Sequence, residues 1–174
     1  MLRRPAGLAL SLLLAATLAS AAKPAPTWDG RVTHVSDGDS LWVQPADAAL
    51  APVEVRLVDI DAPEICQAWG REARAALQER VGGREVMVRP VGRDGFGRTL
   101  ARFRLEGEDV GAWLVQEGHA WSQRTRWNRG PLVKQETQAR ALRRGLHQEP
   151  GAIAPKEFRR QHGPCERGAA GRTQ

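Results

Sequence analysis

Over most of this chain apolar and polar residues alternate in short runs, interrupted by three stretches of wider, helical spacing. Val32, His34 and Val35 mark a first strand within Trp28–Ser36, and Leu41-Trp42-Val43 resumes it after the turn Asp37-Gly38-Asp39-Ser40, which predicts a hairpin. Pro45 to Pro52 is an alanine-rich loop. Val53, Val55 and Leu57 then alternate with Glu54, Arg56 and Val58, the period of a third strand. Trp69, Ala73, Ala76, Leu77 and Val81 fall at helical spacing, and Gly82-Gly83 ends that helix. Val86, Met87, Val88 and Val91 predict a fourth strand. The turn Arg93–Arg98 leads into a fifth, Thr99–Leu105, with Ala101, Phe103 and Leu105 on one face. Asp109 is a suitable N-cap for a short helix carrying Val110, Trp113 and Leu114 and stopping at Gly118. Pro131 opens a last helix whose apolar side is Leu132, Ala139, Leu142 and Leu146, limited by Gly145. Three strands, a helix, two strands and two helices predict a mainly β, α+β fold: a five-stranded closed barrel of the oligonucleotide-binding (OB) type with three α-helices, over residues 28–148. Residues 149–174 read as a Pro/Gly/Arg tail, docked by Phe158 and held by Cys165.

The N-terminus changes this picture. Arg3 and Arg4 precede an apolar run, Ala6 to Ala19, too short to span a bilayer comfortably, and Ala19-Ser20-Ala21 has the small residues of a cleavage site. Residues 1–21 therefore read as a signal peptide and 22–27 as a linker. The expected mature protein is exported, periplasmic or extracellular, and has no membrane segment. Removing the leader takes away two arginines and no acid, so the net charge falls from +6 to +4. A basic chain whose lysines number only Lys23, Lys134 and Lys156 has arginine for its cations, the better bidentate partner of phosphate. An exported chain with two cysteines predicts a disulfide between Cys66 and Cys165.

Candidate chemistry gathers in Arg56-Leu-Val-Asp59-Ile-Asp61-Ala-Pro63-Glu64. Pro63 fixes its own φ and pushes Ala62 toward an extended conformation, so a stiff turn presents Asp59, Asp61 and Glu64. Asp39, at the start of the second strand, can meet Asp61, at the end of the third; two carboxylates, a carbonyl and waters suit a hard cation such as Ca²⁺. Taken alone, Asp37-Gly38-Asp39 reads first as an ordinary hairpin turn. Glu64 can serve as a base toward water. Arg56 lies in an apolar strand where an unpaired charge is costly, so it faces either a cleft or a salt bridge with Glu54 or Asp59. Arg98 closes Asp94-Gly95-Phe96-Gly97-Arg98, whose glycines let a ligand approach the backbone. Trp42, Trp69 and Trp113 read as core. Trp121 and Trp127, interleaved with Arg124, Arg126 and Arg129, read as a nucleic-acid-facing surface or a solvated basic loop.

Asp-Gly-Asp-Ser, Arg-x₄-Asp-Ala-Pro-Glu and Asp-Gly-Phe-Gly-Arg, in that order, resemble the staphylococcal nuclease (thermonuclease-like) family from about Trp28 to Gln148. Gly111–Gly118 and Ala139–Leu146 look like that family's last two helices. The resemblance implies a monomeric Ca²⁺-dependent phosphodiesterase, an endonuclease or exonuclease of DNA and RNA that leaves 3′-phosphates. By position it implies Arg56, Glu64 and Arg98 as catalytic, Asp39 and Asp61 as metal carboxylates, and Ala62 as a metal ligand through its carbonyl. Phe96 stands where the family has a tyrosine and is a candidate substrate contact that can stack on a base, although a lone phenylalanine more commonly packs into the barrel; Gln123 replaces another tyrosine, and Gly95 a phosphate-binding lysine. The competing class is an exported, non-catalytic OB module that binds nucleic acid or another polyanion. Its difficulty is the acids, which repel phosphate unless a metal intervenes.

Overall fold

The structure is a computed structural model that describes residues 25–125, 127–148, 150–163 and 165; the expected leader, residues 1–21, lies outside the described residues. In chain order the elements are β1 (Trp28–Val35), β2 (Ser40–Pro45), β3 (Val53–Leu57), a short β4 (Ile60–Asp61), α1 (Gly70–Val81), β5 (Glu85–Arg93), β6 (Thr99–Leu105), a short β7 (Glu108–Asp109), α2 (Val110–Gln116), a short β8 (Trp121–Ser122), α3 (Val133–Ala141), a 3₁₀ turn (Gly145–His147) and α4 (Pro155–His162).

Antiparallel pairing runs β3-β2-β1-β5-β6, and a parallel pairing of β3 with β6 closes the five strands into a barrel. The alternation read from sequence is what fills it. Val55 and Leu57 of β3, Val86 and Val88 of β5, and Ala101 and Phe103 of β6 are all buried. Fully burying a valine, leucine or phenylalanine side chain contributes about 1.5–3 kcal/mol. In β1 the inward positions are Gly30 and Val32 and then Val35, because a bulge between Val32 and His34 inserts one residue and bends the strand. Helix α1 buries Ala73, Leu77 and Val81 at i, i+4, i+8, and Asp109 caps α2 by accepting from the Ala112 amide at 2.9 Å.

Several expectations need correction. Trp42 is not core: it points outward from β2, 37% exposed, because Leu41 and Val43 hold the inward positions. Trp69 and Trp113 are half-buried, flanking His119 at ring distances of 6.2 and 5.9 Å. Trp121 is no surface for nucleic acid, since β8 buries it (3% exposed); Trp127 is exposed. Helix α3 begins at Val133, two residues after Pro131; Leu142 is exposed, and Leu146 belongs to the 3₁₀ turn. The tail carries a fourth helix, α4, with Pro155 in its first turn, and the Cys66–Cys165 disulfide ties the chain just beyond it to the acidic turn. No helix among the described residues is long and apolar enough to cross a membrane.

Glu136 on α3 is a structural centre. It is 2% exposed, and its carboxylate accepts from the Ser122 amide (3.1 Å), from Arg140 Nε and Nη2 (2.9 and 2.7 Å) and from Arg124. Burial works to raise its pKa, but Arg124 and Arg140 outweigh it and hold the carboxyl below its usual range. Glu136→Ala leaves a buried amide and two crowded guanidiniums, and is expected to cost about 2–3 kcal/mol in urea unfolding at pH 7. Because the folded pKa is depressed, the ionic share is present above the ordinary 4.5 and is lost as pH falls through the lower folded value. The gap between wild type and variant should therefore narrow in acid; a constant gap would mean that the carboxylate's charge is not what matters.

Candidate active site

Two turns and two strand ends build the site. In the first turn the Asp39 amide donates to Asp37 Oδ1 (3.0 Å), and the amides of Ser36 and Asp37 donate to the Ser40 carbonyl. The second turn follows β3: the backbone reverses at Asp59 (φ 68°), and β4 pairs Asp61 with Trp121 of β8. The turns touch because Gly38 has no side chain: a Cβ there would sit 2.8 Å from the Ala62 Cβ and 2.9 Å from the Ala73 Cβ. Gly70 does the same for α1, since its Cβ would lie 1.9 Å from the Glu64 carbonyl oxygen. The acidic turn is thus seated directly on the start of α1.

Into this frame β3 projects Arg56, paired in register with Ser40 of β2. Its Nη2 lies 2.7 Å from Asp39 Oδ2 and 3.4 Å from Asp61 Oδ1. The partner is therefore neither Glu54 nor Asp59. Asp59 turns away to Arg102 (2.6 Å), which removes it from the acidic cluster the sequence had placed it in. Asp39 Oδ1 accepts from Ser40 Oγ (2.9 Å), and Ser40 Oγ in turn accepts from Arg98 Nη1 (3.5 Å). Arg98 is braced by Asp94, which receives its Nε at 2.7 Å and its amide at 3.0 Å. Against Asp94's slight burial, these bonds and one from the Phe96 amide hold that carboxyl below its ordinary pKa. Phe96 is 87% exposed rather than packed into the barrel, with its ring 5.6 Å from the Arg98 guanidinium carbon.

The site brings together Asp39, Arg56, Asp61 and Glu64, with Arg98 joined through one hydroxyl. It also holds Arg159 of α4, which pairs with Glu64 and lies 3.9 Å from Asp61 Oδ1. Nothing in the local sequence marks Arg159 as a site residue. The helix that carries it has a local signal inside the stretch that reads as a tail by composition: proline in the first turn, Glu157 beside it, and Arg159, Arg160 and His162 at the other end.

Burial weighs on two of the site's carboxylates more than its arginines relieve them. Burial drives the Asp39 carboxyl well above its usual range, Asp37 adds to this, and Arg56 offsets only part. Burial also raises Asp61, with Arg159 and Arg56 opposing and Glu64 assisting. Burial works to lower Arg56, but Asp39, Asp37, Asp61 and Glu64 together hold it more firmly protonated. A buried carboxylate, Asp39, beside a partly buried one, Asp61, both raised by burial and offering oxygen donors only, fits a hard divalent cation. Among the described residues no group of three His, Cys, Asp or Glu side chains converges as a metal cage, so carbonyl, water or substrate oxygens would complete the shell. A cavity of about 860 Å³ lies outside this cluster and includes Trp28, Leu50 and Val91 in its lining.

A closed OB-type barrel with arginines and acids gathered at the ends of β2 and β3 defines the class of protein. The sequence profile of the staphylococcal nuclease homologues matches residues 54–149. The Escherichia coli protein ParB is 37% identical over 164 residues, covering 86% of this chain and 91% of that protein. A micrococcal nuclease of Shigella flexneri is 35% identical over 149 residues, 78% of this chain and 84% of that one. An uncharacterized endonuclease of Haemophilus influenzae is 32% identical over 132 residues, 75% and 72%. This chain belongs to the staphylococcal nuclease family. The family is one of nucleases, generally calcium-dependent, and it implies a nucleic acid substrate.

Proposed function

We propose that this chain is an exported, calcium-dependent nuclease that hydrolyses phosphodiester bonds in DNA, RNA or both and leaves 3′-phosphate ends. The observation that carries the reading is Arg56 with its Nη2 between Asp39 and Asp61, on the same turns that present Glu64. Among the described residues neither Nε nor Nη1 of Arg56 is engaged, so that side of the guanidinium remains for a phosphoryl oxygen. Calcium, held by Asp39, Asp61 and the Ala62 carbonyl, would neutralise phosphate charge and make a bound water more acidic. Glu64 accepts the proton of the attacking water. Arg56 and Arg98 donate to the equatorial oxygens as the phosphorus becomes pentacoordinate, and the P–O5′ bond breaks with the 5′-oxygen leaving as a hydroxyl protonated from solvent. Phe96, exposed beside Arg98, offers a face on which a base can stack. Export is supported by the leader pattern of residues 1–21 and is compatible with the disulfide.

Digestion of single-stranded DNA by the mature protein tests the reading. Cleavage is expected with millimolar Ca²⁺ and not with the chelator EGTA, and end-labelling should find 3′-phosphates. Cleavage indifferent to EGTA would remove the calcium assignment alone. Binding without cleavage, strongly weakened by salt, would favour the non-catalytic module.

A further inference from the structure

Helix α4 is fastened to the acidic turn at several points. Cys165, just beyond the helix, is disulfide-bonded to Cys66, two residues after Glu64. Gln67, 7% exposed, bridges the two segments: its Oε1 accepts from the Glu64 amide (3.2 Å) while its Nε2 donates to the Ile153 carbonyl (2.7 Å). Ile153 and Phe158 line one cavity of about 410 Å³ with Trp69, Trp121 and Leu146. These anchors fix where Arg159 stands, and its Nη1 donates to Glu64 Oε1. Among the described residues Arg159 is the cation paired with Glu64, and the second carboxylate oxygen is not engaged. The segment after the barrel thus reaches the Glu64 side chain directly through Arg159 and its main chain by way of Gln67.

We propose that Arg159 is a positioning residue for Glu64, clamping Oε1 so that the other carboxylate oxygen is held in place to take the proton of water; this rests on the nuclease reading above. A glutamate has three rotatable side-chain bonds. Freezing them beforehand, rather than in each turnover, is worth about 10- to 30-fold in rate. The contribution acts on kcat, because it is made through Glu64 and not through the bound substrate.

The test is steady-state cleavage of single-stranded DNA in saturating Ca²⁺ by wild type, Arg159→Ala, Arg159→Lys, Glu64→Gln and the double variant Arg159→Ala/Glu64→Gln. Arg159→Ala should lower kcat about 10- to 30-fold with KM within about twofold, and Arg159→Lys should restore most of the loss. In the Glu64→Gln background the alanine substitution should have no further effect, which a merely structural role would not produce. An Arg159→Ala variant with unchanged or raised kcat overturns the proposal, the latter by showing that α4 masks the base. A raised KM at constant kcat overturns it too, making Arg159 a phosphate-binding cation. Loss in the Glu64→Gln background as large as in wild type would assign the effect to folding. Wild-type protein that does not cleave defeats the nuclease reading itself, an outcome distinct from all of these.

Discussion

Glu64→Gln is expected to lower kcat on single-stranded DNA by about 10²–10⁴-fold, the range in which a positioned general base contributes. Glutamine keeps the shape of the side chain and one oxygen to meet Arg159, but it cannot take a proton from water. The fold should survive. Glu64 is half-buried, and its partner Arg159 is 38% exposed. An ion pair so open to solvent is worth at most about 1 kcal/mol. The seat of the turn is set by Gly70, which admits the Glu64 carbonyl, and does not depend on the carboxylate. Melting temperature and tryptophan fluorescence should therefore match wild type while turnover collapses. A variant retaining more than a tenth of wild-type kcat would show that another group activates the water.

The barrel was legible because its determinants are local. Inward residues at every second position and turns rich in Asp and Gly specify β1–β2 and β5–β6 without reference to the rest of the molecule. Asp39, Arg56, Asp61 and Glu64 were legible as a set through the ordered motifs that resemble the family, since singly each has an ordinary structural use. The partner of Arg56 was not: Glu54 and Asp59 are nearer in sequence, yet the left-handed backbone at Asp59 turns that carboxylate toward Arg102. Trp121 was misread for a related reason. A tryptophan among arginines looks like a surface until β8 pairs with β4 and buries it. Nothing beside Glu136 in the sequence marks its burial, because Arg124, twelve residues away, folds back to pair with it. Arg159 is the extreme case. It reaches Glu64 across 95 residues, through a disulfide and a glutamine bridge that no periodicity records.

The second large effect is expected at Arg56, where activity and metal binding should move in opposite directions. Arg56→Ala removes a guanidinium directed at the phosphoryl oxygens, and loss of one such donor costs about 10²–10³ in kcat. The same guanidinium lies 2.7 Å from Asp39 and 3.4 Å from Asp61, the two carboxylates proposed to hold calcium, so it competes with the cation for them. Without it, Ca²⁺ should bind at least as tightly, and the rise in melting temperature on adding Ca²⁺ should be larger than in wild type. The calcium-free variant should also be less stable at neutral pH, because Asp39, 2% exposed, loses its cation. Burial already raises the folded pKa of Asp39 above its unfolded value of 3.8, so stability from this group is present below that value and lost as pH rises through the folded one. Losing Arg56 raises the folded value further and widens that window, so mild acid should recover part of the variant's stability. Calorimetric Ca²⁺ titration beside kcat separates the two roles. Weaker calcium binding in Arg56→Ala would mean that the arginine organises the carboxylates for the metal instead of competing with it.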